Sequence, residues 1–144
     1  MHVLRMTPQD VPEVHSMEER LFDQAFSERQ LQAELREGGG LIAKEGDTTL
    51  GYCLLRTDHQ LVEITRLAVS EDARRKGCGK ALLRAAVELA GEYTVFLQVA
   101  KKNTPALLLY RAHGFKVAGE SGATWAMVLR KAEQPADCFL IHHP

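Results

Sequence analysis

Apolar residues recur at two spacings along this 144-residue chain, and the spacings assign most of its elements. Val11, Val14, Met17 and Leu21 fall three or four apart, the single stripe of an amphipathic helix. "MTPQDVPEV" supplies its start: Thr7 or Asp10 can cap, with Pro8 or Pro12 just inside. "FSERQLQAELRE" opens a second helix. Ser27 and Gln30 have capping-box spacing, Leu31 and Leu35 form the buried side, and Gly38–Gly40 stop it. The pattern then changes to β. "LIAKE" and "TLGYCLLR" flank "GDT", a hairpin signal, and Gln60–Val69 is a longer strand. "KALLRAAVELAG" returns to helical spacing, with Leu82, Leu83, Ala86 and Leu89 inward and Gly91 at its end. "TVFLQVA" is apolar and β-branched enough for a central strand. "TPALLLYRAHG" is a short helix with Pro105 in its first turn and Gly114 as its stop. "HVLR" at the start, and "FKVAG" and "TWAMVLRK" around "ESGA", complete the strands.

The order is β-α-α-β-β-β-α-β-α-β-β. Most strands can pair antiparallel, but the strand-helix-strand unit from Glu63 to Val99 needs a parallel crossover. The expected fold is α/β: a mixed, largely antiparallel twisted sheet of about seven strands with helices on both faces. Residues 1–131 read as one domain and 132–144 as a C-terminal tail, whose "CFLI" suits docking on a neighbouring surface.

Composition narrows the function. A net charge of -1 leaves no global basic field, so tight non-specific nucleic-acid binding is not expected. Cys53, Cys78 and Cys138 are scattered and form no CxxC pair, which argues against a disulfide framework or a zinc site and fits a reducing cytoplasm. The six histidines show no metal-ligand spacing, so no metal is expected. The start has no long apolar stretch of a signal peptide, and no apolar run approaches the ~20 residues a membrane span needs.

"EDARRKGCGKALL" carries the chemistry. Basic residues meet two glycines at the junction of a strand ending at Val69 and a helix opening near Gly79. Helix-start amides and the helix dipole favour an anion there. Gly77 and Gly79 let a phosphate approach the backbone, while Arg74, Arg75, Lys76 and Lys80 add charge. Two common phosphate motifs fail. Ala81 replaces the hydroxyl residue of a P-loop, and Leu82 stands where a dinucleotide fingerprint has its third glycine. What remains is R-x-x-G-x-G, suited to a diphosphate, against the alternative of a solvated turn.

That segment resembles the acetyl-CoA-binding motif of the GNAT superfamily of acyl-CoA-dependent N-acyltransferases. "NTPALLLYRAHGF" (Asn103–Phe115) is similar to a second family motif, in the expected order. The element order also looks like the family's fold. Within the family the chain is nearest in look to bacterial Rim-type enzymes that acetylate ribosomal-protein N-termini.

The resemblance implies site residues position by position. Arg74, Arg75, Lys76, Gly77, Cys78, Gly79 and Lys80 match the pyrophosphate loop, with Cys78 read as a small filler rather than a reactive thiol. Leu67, Ala68 and Val69 match the strand edge that pairs with the pantetheine arm, beside a gap where that strand splays from the next. Asn103 matches a cofactor contact and is also placed to cap its helix. Tyr110 matches the general acid; a phenol at the sulfur can protonate the departing thiolate. The alternative for Tyr110 is a core aromatic.

The base is less direct. Rim-type enzymes carry a glutamate where this chain has Gln98, which cannot take a proton. Glu63 matches the glutamate of the histone-acetyltransferase branch, acting through water; otherwise it is a strand carboxylate facing solvent or pairing with Arg66. An α-amine of pKa ~8 is roughly a tenth neutral at pH 7 and a lysine amine of pKa ~10.4 under about a thousandth, so a missing base leans toward low-pKa amines. Glu18, Glu19 and Asp23 read as a solvated helix face more than an amine site, and Trp125 as core. The short "GESGATW" lacks the longer tyrosine-bearing insert of Rim-type enzymes.

The expected activity is therefore acetyl transfer from acetyl-CoA, as cosubstrate, to a primary amine on a peptide or small molecule. The expected partners are that amine, no nucleic acid, no membrane, and, as in many family members, a second copy of the chain. A CoA-binding module without turnover is the alternative. Nucleotide binding through the same loop is a third.

Overall fold

Thr7 starts the first helical turn, two residues past the first strand: its backbone N–H and hydroxyl both donate to Asp10 Oδ2, at 2.8 and 3.2 Å. In the computed structural model, which describes residues 1–131, β1 (His2–Arg5) leads through a 3-10 turn into α1 (Val11–Leu21). α2 (Glu28–Glu37) follows under the expected capping box, with Ser27 N–H donating to Gln30 Oε1 and Gln30 N–H to Ser27 Oγ. β2 (Gly40–Glu45), β3 (Thr48–Asp58) and β4 (Leu61–Val69) form a meander. Then come α3 (Cys78–Ala90), β5 (Thr94–Ala100), α4 (Thr104–Ala112), β6 (Lys116–Ser121) and β7 (Thr124–Leu129). The expected order of elements is present. The reading of "CFLI" lies outside the described residues.

Among the described residues one sheet holds seven strands in the order β1-β2-β3-β4-β5-β7-β6, with only the β4–β5 pair parallel. That pair matters most. Its ladder runs from Leu61–Ile64 against Thr94–Leu97 and stops, although β4 continues to Val69 and β5 to Ala100. The break coincides with a bulge. Leu55 pairs with Ile64 and Leu54 with Arg66, so Thr65 is an extra residue in β4. A bulge bends its strand and strengthens the twist, which turns β4 away while β5 keeps its ladder with β7.

Two cores cover the two faces. Cys53, Val62, Ile64, Val95, Leu97 and Val99 meet the inward sides of α3 and α4. Ile42, Tyr52, Leu54 and Ala68 meet Val11, Val14 and Met17 of α1 and Leu31 of α2. Leu89 is a correction: it is 46% exposed, and Ala90 takes the inward place. The buried line drifts across α3, from Cys78 and Leu82 to Leu83, Ala86 and Ala90, because a straight helix crosses a twisted sheet. Among the described residues no helix is long and apolar enough to cross a membrane.

Candidate functional site

The turn after β4 builds a donor-rich cradle. Ser70 N–H donates to Leu50 O at 2.8 Å, and a 3-10 turn spans Glu71–Ala73. Arg75 and Gly77 then adopt left-handed backbone, φ 69° and 80°, and Gly77 caps α3. The first bond of the helix is Ala81 N–H to Gly77 O, 3.0 Å. The amides of Cys78, Gly79 and Lys80 therefore lie ahead of the ladder, with no internal acceptor. A β-carbon at Gly77 would meet nothing within 4 Å, so its backbone, not crowding, selects glycine. Arg74, Arg75, Lys76 and Lys80 are exposed, and among the described residues they form no ion pair. Free amides, four cations and open space suit a diphosphate.

Cys78 faces the other way. It is 1% exposed, and burial pushes its thiol up. A β-carbon at Gly51 of β3 would lie 2.9 Å from Cys78 Sγ and 2.6 Å from Ala68 O. That glycine lets the start of α3 sit close on the sheet.

α4 arrives at the same place. Asn103 Oδ1 accepts from Ala106 N–H at 3.3 Å, so it caps the helix. A β-carbon at Gly79 would lie 3.6 Å from both Leu109 Cδ2 and Val69 Cγ2, so the end of β4, the start of α3 and α4 converge there. Tyr110, next along α4, is 7% exposed, with its ring 5.8 Å from that of Phe115. Among the described residues its hydroxyl finds no hydrogen-bond partner. Burial, then the neighbouring Cys53, push its pKa up to about 12. The phenol is fully protonated at neutral pH.

Glu63 belongs to the opposite face. Val62 and Ile64 enter the α3-side core, so strand alternation turns Glu63 toward the α1–α2 side. It is half-buried, level with Arg56 of β3 and Phe96 of β5. Gln98 is exposed on that same side of β5. Leu67 and Val69 pack toward the α3 side and Ala68 toward the other, and all three lie beyond the last β4–β5 pair. Tyr110 and Glu63 thus stand on opposite faces, with the parting of β4 from β5 between them. Trp125 is half-buried against the α3-side core, under Lys101 Nζ at 4.5 Å from its ring centre.

Two expectations need correction. Arg66 does not pair with Glu63; its Nε and Nη2 donate to Glu18, each at 3.2 Å. Glu18 is not on a solvated face: it is fully buried, and also accepts from Tyr52 Oη and Phe26 N–H. Glu19 and Asp23 are exposed as expected. The signal for Glu18 was its position. It stands four residues after Val14 and three before Leu21, inside the apolar stripe of α1.

The sequence profile of the family described as "Acetyltransferase (GNAT) family" matches residues 5–115. An uncharacterised N-acetyltransferase of Bacillus subtilis is 37% identical over 87 residues, 58% of this chain and 56% of that protein. The N-alpha-acetyltransferase RimI of Mycobacterium tuberculosis is 34% identical over 84 residues, 58% of this chain and 51% of that protein. The chain thus spans about half the length of these curated relatives. The PaiA N-acetyltransferase of Thermoplasma acidophilum, solved in complex with coenzyme A, has a TM-score of 0.81 at 18% identity. That match covers 90% of this chain and 98% of the other and shows a shared fold.

Proposed function

This chain belongs to the GNAT acetyltransferase family, and we propose that it transfers an acetyl group from acetyl-CoA to a primary amine, with both substrates bound together. The acceptor is a peptide α-amine, as the similarity to the N-alpha-acetyltransferase RimI supports, or a small-molecule amine. The observation that carries the reading is the convergence of three free α3 amides, the end of β4 and a protonated Tyr110 beside a parted strand pair.

Bound acetyl-CoA supplies an activated thioester. The chain's own residues do the rest. Arg74, Arg75, Lys76 and Lys80, with the amides from Gly77 to Lys80, hold the diphosphate. The edge of β4 at Leu67–Val69 offers its backbone to the extended arm. Asn103 adds a contact from the start of α4. Tyr110 carries a proton to the leaving sulfur. Glu63, from the other side of the sheet, takes the amine proton through water. The buried, unpaired Cys53 and Cys78 support a cytoplasmic setting.

A thermal-shift and thiol-release screen with acetyl-CoA tests the reading, using polyamines, amino acids, aminoglycosides and peptides as acceptors. Stabilisation by CoA together with amine-dependent thiol release is expected. CoA binding without thiol release for any amine would favour a binding module, a second reading that rests on Gln98 in place of a base. Stabilisation by ATP but not CoA would reject both.

A further inference from the structure

We infer that Arg66 is a positioning residue for the acceptor amine, acting by clamping the α1–α2 loop (residues 22–27) to the lip of the gap between β4 and β5, with buried Glu18 as its anchor. The inference rests on the proposed role of Glu63, which takes the amine proton on the α1–α2 side of the sheet and so puts the amine there.

A fully buried carboxylate is costly unless its partners are excellent. Glu18 has four: Tyr52 Oη, Phe26 N–H at 2.8 Å, and the two Arg66 nitrogens. Burial, then Glu18 itself, push the Tyr52 phenol well up, so it remains a donor across the working pH range. Such an ion pair is weak evidence for stability, since apolar residues of similar volume commonly do as well. What this pair adds is a fixed geometry for the loop.

Arg66 reaches that loop three ways. Its Nη2 donates to Gln24 O at 3.0 Å. Its guanidinium lies 4.1 Å from the Phe22 ring centre and 4.2 Å from that of Phe26, between two aromatic side chains. Glu18 takes the Phe26 amide. The loop is thus held at its beginning, middle and end.

The other end of the clamp is the bulge. Arg66 directly follows the extra residue Thr65, where the β4–β5 ladder has just ended at Ile64 and Leu97. α2 grips the neighbouring position: Thr65 Oγ1 lies 3.3 Å from Glu34 Oε1 and 3.2 Å from Leu54 O, and Arg56 Nη2 donates to Glu34. Each helix of this face sends one buried carboxylate to one of two consecutive bulge residues. Glu63, Phe96 and Gln98 share the face. With Glu18 and Arg66 satisfying each other, neither is free to bind or repel the amine. They set where the loop stands.

The test compares wild type with Arg66→Lys, which keeps the charge but loses the planar fork, and with Glu18→Gln/Arg66→Met, which leaves no buried charge unpaired. The amine probes are an alanine-initiated peptide and spermidine. For the probe that wild type acetylates, KM for the amine should rise roughly tenfold in both variants, with kcat within about twofold. The dissociation constant for CoA should not move. Hydrogen exchange at residues 22–27, Phe26 above all, should speed up roughly tenfold, with α3 and β5 unchanged. Unchanged exchange would reject the clamp. Faster exchange with an unchanged amine KM would reject the positioning role, as would an equal loss of CoA affinity. Absence of thiol release from wild type across the whole amine panel would instead overturn the transferase reading, and the exchange measurement would decide the clamp by itself.

Discussion

Tyr110 keeps its proton because its ring is buried on the α3-side core, where an anion is poorly solvated. An acid in contact with a leaving thiolate gains from that. Tyr110→Phe should lower kcat about a hundredfold while CoA affinity stays within about twofold, measured by steady-state kinetics and calorimetry. Cys53 shares the environment, and burial pushes its thiol up to about 12. For both groups the fold favours the neutral form. In the unfolded chain they lose their protons at lower pH, so the native state binds more protons under alkaline conditions and stability falls as pH rises. The stabilisation is fully present below about pH 9 and lost toward about pH 12. Urea midpoints at alkaline pH should fall below those at neutral pH, and less steeply in Tyr110→Phe. Glu63→Gln should lower kcat/KM about tenfold at pH 7, with the deficit shrinking by about pH 9 as the amine sheds its own proton. At this scale the glycines and cations of the Arg74–Lys80 turn were legible because residue type and spacing mark them, whereas Tyr110 was singled out only by the family resemblance. Glu18 and Arg66 were not. A carboxylate in an apolar stripe reads as a helix-face charge until the partner that neutralises it, 48 positions away, is seen.

At the scale of elements, periodicity together with capping and turn residues located the seven strands and four α-helices among the described residues, but not the two 3-10 turns, because burial on one side imposes periods of 2 and 3.6. It misplaced Leu89, since the line of contact along α3 depends on how the helix crosses the sheet. The close seat of α3 rests on Gly51. In Gly51→Ala the new methyl group would overlap Ala68 O and Cys78 Sγ, at 2.6 and 2.9 Å. A loss of ~1–3 kcal/mol is expected from the urea midpoint. A raised dissociation constant for CoA should accompany it, as the first turn of α3 lifts. Ser27→Ala removes the hydroxyl that receives Gln30 N–H, and should cost ~1 kcal/mol with CoA affinity unchanged.

At the scale of the whole molecule, charge is distributed rather than abundant. The net charge is -1, yet Arg74, Arg75, Lys76 and Lys80 cluster at one exposed turn. CoA affinity should therefore weaken steadily as sodium chloride is raised, which a titration series reads directly. The sequence by itself determined the order of elements, the mixed sheet and the glycine-rich basic turn, because each is written in local spacing: apolar period, capping residues, glycines beside basic residues. Only the tertiary structure decided where β4 leaves β5, that Tyr110 and Glu63 stand on opposite faces of that opening, and that Glu18 and Arg66 hold the loop at its lip. Those facts depend on register. One extra residue at Thr65 sets the parting of the strands and the face each later side chain takes, and register is fixed by partners far away along the chain.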